Sequence, residues 1–388
     1  MSRTTILVLA VASCGIFPTA FSSANDGLSP ADDGFRPLFN GKNLDGWRPV
    51  NTAPSTWSIQ DGRLHCTGKP IGELRTKKMF QNFILEVEWR HLKPKGNAGI
   101  FVWADDITAR GQPFHRGIEV QVLENAYGNT RGYSTHGDIF PIHGAKMKPV
   151  NGRGGSRAFP TENRSRPSPE WNHYRIHCQD GNISLAVNGK VVTRGTNCSP
   201  KKGYICLESE GGIVDYRNLR IKELPDTPVD KKDIAIEERG YRSLYTGVDL
   251  SGWKLAAEQK SWQVRDWVLH FDGKASGTNA SLASTKSFSK VGFLFDVRAK
   301  KVSKELEVSV RGFTFSLSEK KLGKGWNRVE GVVVGDTLRV KLNGKSLFRQ
   351  TQTSNGTSTP LKFQPVGSFD LANIFVRNPK KKPAAAKK

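Results

Sequence analysis

The sequence predicts an all-β protein built from two tandem β-sandwich domains of jelly-roll type. Three observations carry that prediction. The chain repeats itself at long range. Its apolar residues alternate with period two between Gly and Asn turns. No stretch of a dozen residues carries a helical stripe. A two-copy repeat of this length means tandem domains rather than a solenoid, which stacks short units.

The repeat is visible at both ends of each copy. Leu38-Phe39-Asn40-Gly41 running to Leu44-Asp45-Gly46-Trp47 recurs as Leu244-Tyr245-Thr246-Gly247 running to Leu250-Ser251-Gly252-Trp253. Trp57 and Leu64-His65 are echoed by Trp262 and Leu269-His270. Further on, Trp171-Asn172, Asn188-Gly189-Lys190 and Asn218 correspond to Trp326-Asn327, Asn343-Gly344-Lys345 and Asn373, all at an offset of 155 residues.

Taken in order, the chain opens with a secretion-type leader. Arg3 supplies the positive end, residues 6–12 are apolar, and Ser22-Ser23-Ala24 offers a small-residue cleavage site, so residues 1–24 are expected to be removed on export to the periplasm or the exterior. Val11-Ala12-Ser13-Cys14 offers an alternative, a lipoprotein anchored through Cys14. No segment has the ~20 apolar residues of a membrane span. The first sandwich is expected over residues 35–224. A Pro-bearing, charged linker follows at 225–240, with room for one short helical turn, then the second sandwich at 241–378 and a basic, disordered tail at 379–388.

Within the first copy, Phe83, Leu85, Val87 and Trp89 alternate as the inward face of a strand, and residues 118–122 alternate likewise. Asp180-Gly181 and Asn188-Gly189 each mark a hairpin turn. His65 and His270 occupy equivalent places in both copies and read as structural. His173 and His177 read as packing residues.

Charge and cysteine content narrow the function. The net charge of +23 is scattered and accompanies no recognition helix, zinc finger or ribonucleoprotein motif, so a nucleic-acid partner is not expected. A diffuse positive surface suits anionic surfaces, polysaccharide or simple solubility. Cys66, Cys178, Cys198 and Cys206 permit two disulfides in three connectivities, or four buried thiols, and lack the spacing of a structural zinc site. There is no nucleophile elbow, HExxH, P-loop or dinucleotide fingerprint, so no organic cofactor is expected.

The two copies differ where chemistry would sit. Trp57 and Trp171 are 114 positions apart, but Trp262 and Trp326 only 64. The extra segment holds His115, Arg116, Glu119, Gln121, Glu124, Arg131, His136, Asp138 and His143. Period two puts Glu119 and Gln121 on one strand face, as it does Glu86 with Glu88 and Glu208 with Glu210. If these faces line one groove, the carboxylates raise one another's pKa and suit acid–base work, or hold a hard divalent cation such as calcium. A solvated sheet face is the bland alternative, above all for Glu86 and Glu88. Trp89 and Trp103 could each stack on a sugar or fill the core.

These motifs resemble, in order, the 3-keto-disaccharide hydrolase domain family. The similarity rests on Leu38 to Trp47, Asn97-Ala98-Gly99-Ile100-Phe101, Gly117-Ile118-Glu119-Val120-Gln121-Val122-Leu123-Glu124, Trp171-Asn172, Val187-Asn188-Gly189, Gly203-Tyr204-Ile205 and Tyr216-Arg217-Asn218-Leu219. The resemblance implies a concanavalin A-like jelly roll and activity on 3-keto-glycosides. A C3 ketone acidifies the C2 proton, a base removes it, the C1 substituent leaves, and water adds back. That route needs a base, an acid and a metal or cationic group to polarise the ketone. By family position Glu119 and Gln121 are the first catalytic candidates, with Glu88, His136 and Glu210 beside them. Arg116, His143 and Trp103 are the candidate saccharide-binding residues. Many relatives carry Gln-x-His-Gly where this chain has Glu208-Ser209-Glu210-Gly211, so Glu210 must replace that His or the activity differs. The second copy keeps Asp296 near the place of Glu88 but no Glu-x-Gln strand, and reads as non-catalytic. The alternative function is a non-catalytic glycan-binding protein.

Overall fold

The computed structural model describes residues 33–128, 136–257, 260–300, 303–352 and 357–379. The leader, Cys14, Arg131 and most of the basic tail lie outside these residues. From Phe35 onward the chain forms one compact body. Nearly all its regular structure is antiparallel strand, and the helical pieces among the described residues are three short 3-10 turns, one of them, Lys231–Asp233, between the sandwiches. No described helix is long and apolar enough to cross a membrane.

Each sandwich is two facing antiparallel sheets, as expected. In the first, a nine-stranded sheet centres on Phe83–His91, flanked by Asn172–Gln179 and Val214–Glu223. Its partner is a six-stranded sheet in the order Trp47–Val50, Gly72–Thr76, Tyr204–Ser209, Asn97–Ala104, Gly117–Leu123, Ile139–Ile142. Leu85, Val87 and Trp89 from one sheet meet Ile100, Val102, Val120 and Leu207 from the other in one buried cluster. Each such side chain contributes roughly 1.5–3 kcal/mol on burial. The hairpin turns at Asp180-Gly181 and Asn188-Gly189 form where expected, with Asp180 and Asn188 in the left-handed region beside their glycines.

In the second sandwich an eight-stranded sheet faces a five-stranded one in the order Trp253–Leu255, Leu282–Phe288, Thr359–Val366, Glu305–Val310, Phe313–Ser318. Registers align the copies residue by residue. Phe313–Ser318 takes the place of Gly117–Leu123, so the Glu119 strand is not missing from the second copy. Its position survives and its chemistry does not: Thr314 and Ser316 stand where Glu119 and Gln121 stand. The extra material of the first copy is the 105–116 connection, which is a two-residue turn in the second, together with Ile139–Ile142, Lys146–Pro149 and their loops.

Three further readings resolve here. All four described cysteines are buried free thiols, and burial pushes the Cys66 thiol up to about 11 and Cys198 to about 12. His65 and His270 each pair through Nδ1 with an aspartate of the same sheet, Asp215 at 2.8 Å and Asp370 at 2.7 Å. His173 and His177 are not core residues. They lie on the outward face of Asn172–Gln179, where they alternate with buried Tyr174, Ile176 and Cys178.

Candidate functional site

The outward face of the six-stranded sheet carries acids where a solvated sheet would carry scattered polar groups. Strand pairing places Glu73 opposite Glu208, Glu208 next to Gly99, and Gly99 opposite Gln121. One pair along, Arg75, Cys206, Phe101 and Glu119 form the neighbouring row. Glycine at 99 makes the convergence possible. A methyl group there would meet Glu208 Oε2 at 2.8 Å and Glu119 Oε1 at 3.0 Å. Glu208 also shares a hydrogen bond with Glu210, whose other contact is the amide of Asn97.

These acids are not open to water. Glu73 is 0 %, Glu208 1 % and Glu119 6 % exposed, and only Glu210 reaches an intermediate exposure. Residues 105–116 lie over the face, with the His115 N–H donating to Glu73, and Ile139–Ile142 continues the sheet at its edge beside Glu119. Burial is accordingly the main cause of each shift. It pushes the carboxyls of Glu119 and Glu208 well above the ordinary range, and their mutual repulsion and that of Glu210 add to it. Burial also lifts Glu210, to about 7, against the lowering effect of hydrogen bonds from Glu208 and Asn97. Protonated Glu208 donating to Glu210 carboxylate is the arrangement these directions describe. The group therefore holds protons at neutral pH and can release or accept one.

Gln121 is fixed rather than free. Its Nε2 donates to Asn97 Oδ1 at 2.7 Å and to Ala98 O at 3.1 Å. Arg157 bonds Asp138 at 3.0 Å, lies over the Phe140 ring and acts on Glu119 as the nearby positive charge. His136, half-buried with its pKa lowered by burial, adjoins Gly137, whose N–H reaches Gln121 O at 3.3 Å. His143, lowered by burial and then by His115, lies towards the other end with Arg116, which pairs with Asp105 at 2.9 Å.

Two candidates lie elsewhere. Glu88 is on the nine-stranded sheet, in a cleft of about 540 Å3 with Glu86, His173 and Asn218. Burial there would raise its carboxyl, but hydrogen bonds from Asn218 and Arg217 outweigh it and hold the group below the usual range. A carboxylate so neutralised is poorly suited to act as a base. Trp103 is fully buried between the sheets, with Nε1 donating to Gln81 O at 2.9 Å, and has no face to offer a sugar.

Two residues that belong to the cluster, Glu73 and Cys206, went unpredicted. With His115 they bring a carboxylate oxygen, an imidazole nitrogen and a sulfur within 4.8 Å of one another. Glu73 Oε1 and His115 Nε2 have no hydrogen-bond partner. This mixed donor set fits a borderline-soft ion such as zinc better than calcium, which takes oxygen ligands. The alternation Glu73-Leu74-Arg75 was the available signal for Glu73, but a five-residue strand buried on both faces hides it.

In the second sandwich none of the four site positions on this face carries the side chain of the first. Ser281, Gln364, Thr314 and Ser316 stand in the places of Glu73, Glu208, Glu119 and Gln121, and Glu307 in that of Gly99.

Comparison with known proteins agrees with this division. Residues 34–222 match the 3-keto-alpha-glucoside-1,2-lyase-like domain. A protein of Bacteroides thetaiotaomicron named 3-keto-disaccharide hydrolase is 27% identical over 241 residues, covering 50% of this chain and 80% of that protein. Among solved structures, one from Parabacteroides distasonis described as a candidate glycosyl hydrolase is 21% identical, covers 50% of this chain and 94% of its own, and has a TM-score of 0.39. A carbohydrate-binding module from Bacillus subtilis is 10% identical, covers 46% and 96%, and has a TM-score of 0.33. The first sandwich thus belongs to the 3-keto-alpha-glucoside-1,2-lyase-like domain family.

Proposed function

We propose that the first sandwich is an exported hydrolase or lyase of 3-keto-glycosides, with its reaction centre at Glu119, Glu208 and Glu210. The observation that carries this reading is the convergence of these three coupled acids beside Gln121 on one sheet face. The family and the name of the Bacteroides relative supply the substrate class.

The chemistry follows from the acids' different settings. Glu210, the most accessible and the one titrating at about 7, takes the C2 proton that the C3 ketone has acidified. The C1–O bond then breaks, and the departing oxygen takes a proton from the Glu119–Glu208 pair, which burial keeps protonated at neutral pH. Water adds across the resulting C1–C2 double bond, which returns a proton to C2 and completes net hydrolysis. Gln121 and Asn97 orient the acids, and Arg157 is the fixed cation that favours developing negative charge. His136, His143 and Arg116 line the approach of the saccharide in this reading. A divalent ion held by Glu73, His115 and Cys206 would supply Lewis acidity at the floor of the site. Ordinary glycosidases instead use paired carboxylates for displacement at C1 and need no ketone.

The test is to incubate the purified protein with a 3-keto-disaccharide and with its unoxidised parent, with added divalent metal and with EDTA. The keto sugar alone should be cleaved, and Glu119→Gln should cost about 10²–10⁴ in kcat. Glycan binding without product from either sugar would establish the non-catalytic alternative.

A further inference from the structure

The segment that covers the acids is itself held by the second sandwich. Within residues 105–116, the turn at 108–112 enters a polar socket on the outer face of the eight-stranded sheet. Asp296 Oδ2 accepts the Gly111 N–H at 2.8 Å. Asn373 Nδ2 donates to Ala109 O at 3.2 Å, to Gln112 O at 3.0 Å and to Asp296 at 2.7 Å, while its Oδ1 accepts from Thr108 at 2.8 Å. Arg328 pairs with Asp296 and donates to Thr108 O at 3.0 Å. Gly111, at φ +67°, lies so close to Trp326 that an added methyl would meet the ring at 2.2 Å. Three residues beyond the turn's end, the same segment delivers His115, whose backbone N–H and Nδ1 both contact Glu73 and whose Nδ1 lies 3.9 Å from Cys206 Sγ.

The duplication explains how the socket arose. Glu88, Asn218 and Trp171 are its counterparts in the first sandwich, by strand register and the common offset. There the chain's own Arg217 lies over Trp171 at 4.0 Å and bonds Glu88 at 2.6 Å. The residue in the place of Arg217 is Ala372. With that side chain shortened, the acid, paired instead with Arg328, the left-handed asparagine and the indole receive a backbone turn from elsewhere.

We propose that the second domain is a clamp whose Asp296–Asn373 socket binds the 108–112 turn and so positions His115 and Phe114 over Glu73 and Cys206. Asp296 and Asn373 are then positioning residues for a site on the other sandwich. Any effect on turnover rests on the proposed reaction centre; the clamp itself does not.

Cys206 reports on the clamp directly, because it is buried under His115 and Phe114. Cys178 and Cys198 are buried in the first sandwich's core and serve as internal controls. The variants are Asn373→Ala and, on the turn side, Gly111→Ala, with Trp326→Ala combined with Gly111→Ala as relief of the clash. The readout is the alkylation rate of each cysteine in the folded full chain, mapped by mass spectrometry. Both single variants should raise labelling of Cys206 about tenfold or more with Cys178 and Cys198 unchanged. Trp326→Ala should blunt the effect of Gly111→Ala. Unchanged Cys206 labelling in both single variants, or an equal rise at all three thiols, overturns the clamp. A protein inactive on keto sugars but showing the selective rise keeps the clamp and removes only the proposed reaction. Where the wild type is active, the single variants should lower kcat more than they change KM.

Discussion

Glu210 is the acid whose ionisation the site leaves closest to neutral pH. Its carboxyl titrates at about 7 in the folded chain, against an ordinary value of 4.5. Between those values the folded state keeps a proton that the unfolded state has released. Stability from this group is therefore complete below pH ~4.5 and is lost as pH rises to about 7. Glu210→Gln should raise stability relative to the wild type at pH 8, by an amount on the order of 1–3 kcal/mol and with a higher Tm, and leave it nearly unchanged at pH 4. Thermal melts at the two pH values check this, and an equal shift at both would place Glu210 in an ordinary surface setting. The same titration sets the activity profile. If Glu210 is the base, kcat/KM should rise through about pH 7 in the wild type. At this scale the sequence was partly legible. Period two places Glu119 with Gln121 on a shared face, and Glu210, just past the end of Tyr204–Ser209, comes beside Glu208. It could not say that Glu86 and Glu88 belong to the opposite sheet, because alternation assigns a face within a strand and not the sheet that owns it.

At the scale of the strand, Gly99 is what lets two acids from the strands on either side of it meet. Gly99→Ala would push a methyl between Glu208 and Glu119, whose flexible ends can give way without disturbing the backbone. The variant should lose turnover by about tenfold or more, with a change in stability within ~1 kcal/mol, because only the reacting geometry is displaced. Parallel activity and denaturation measurements separate the two. Gly99 stands in a strand that resembles the family's, but its role depends on strand register, which the sequence of one strand does not carry. Covering segments were equally hidden. Nothing local in residues 105–116 reveals that Gly111 answers to Asp296, 185 residues away.

Across the whole molecule, duplication has separated two roles that share one scaffold. Both copies keep the Trp, Asn-Gly and left-handed Asn anchors, and both keep a His–Asp pair in the larger sheet. This much was readable because scaffold residues repeat in register. The acids are confined to the first copy, and Ser, Thr and Gln hold their places in the second. A first sandwich produced without residues 241–378 should therefore retain its acids but lose the hold on residues 105–116, and with it most turnover. The linker belongs with the first sandwich, since Glu238, which that truncation keeps, pairs with Arg75 and Arg48 of the six-stranded sheet.

The central claim is elimination from a 3-keto sugar by carboxylates of the first sandwich. It is tested most directly with a 3-keto-disaccharide carrying deuterium at C2, compared with the unlabelled sugar and the unoxidised parent. A primary isotope effect on cleavage of the keto sugar, loss of turnover in Glu210→Gln and no cleavage of the parent are expected. Cleavage of the parent at a similar rate, or cleavage of the keto sugar with no isotope effect and full activity in Glu210→Gln, would contradict it.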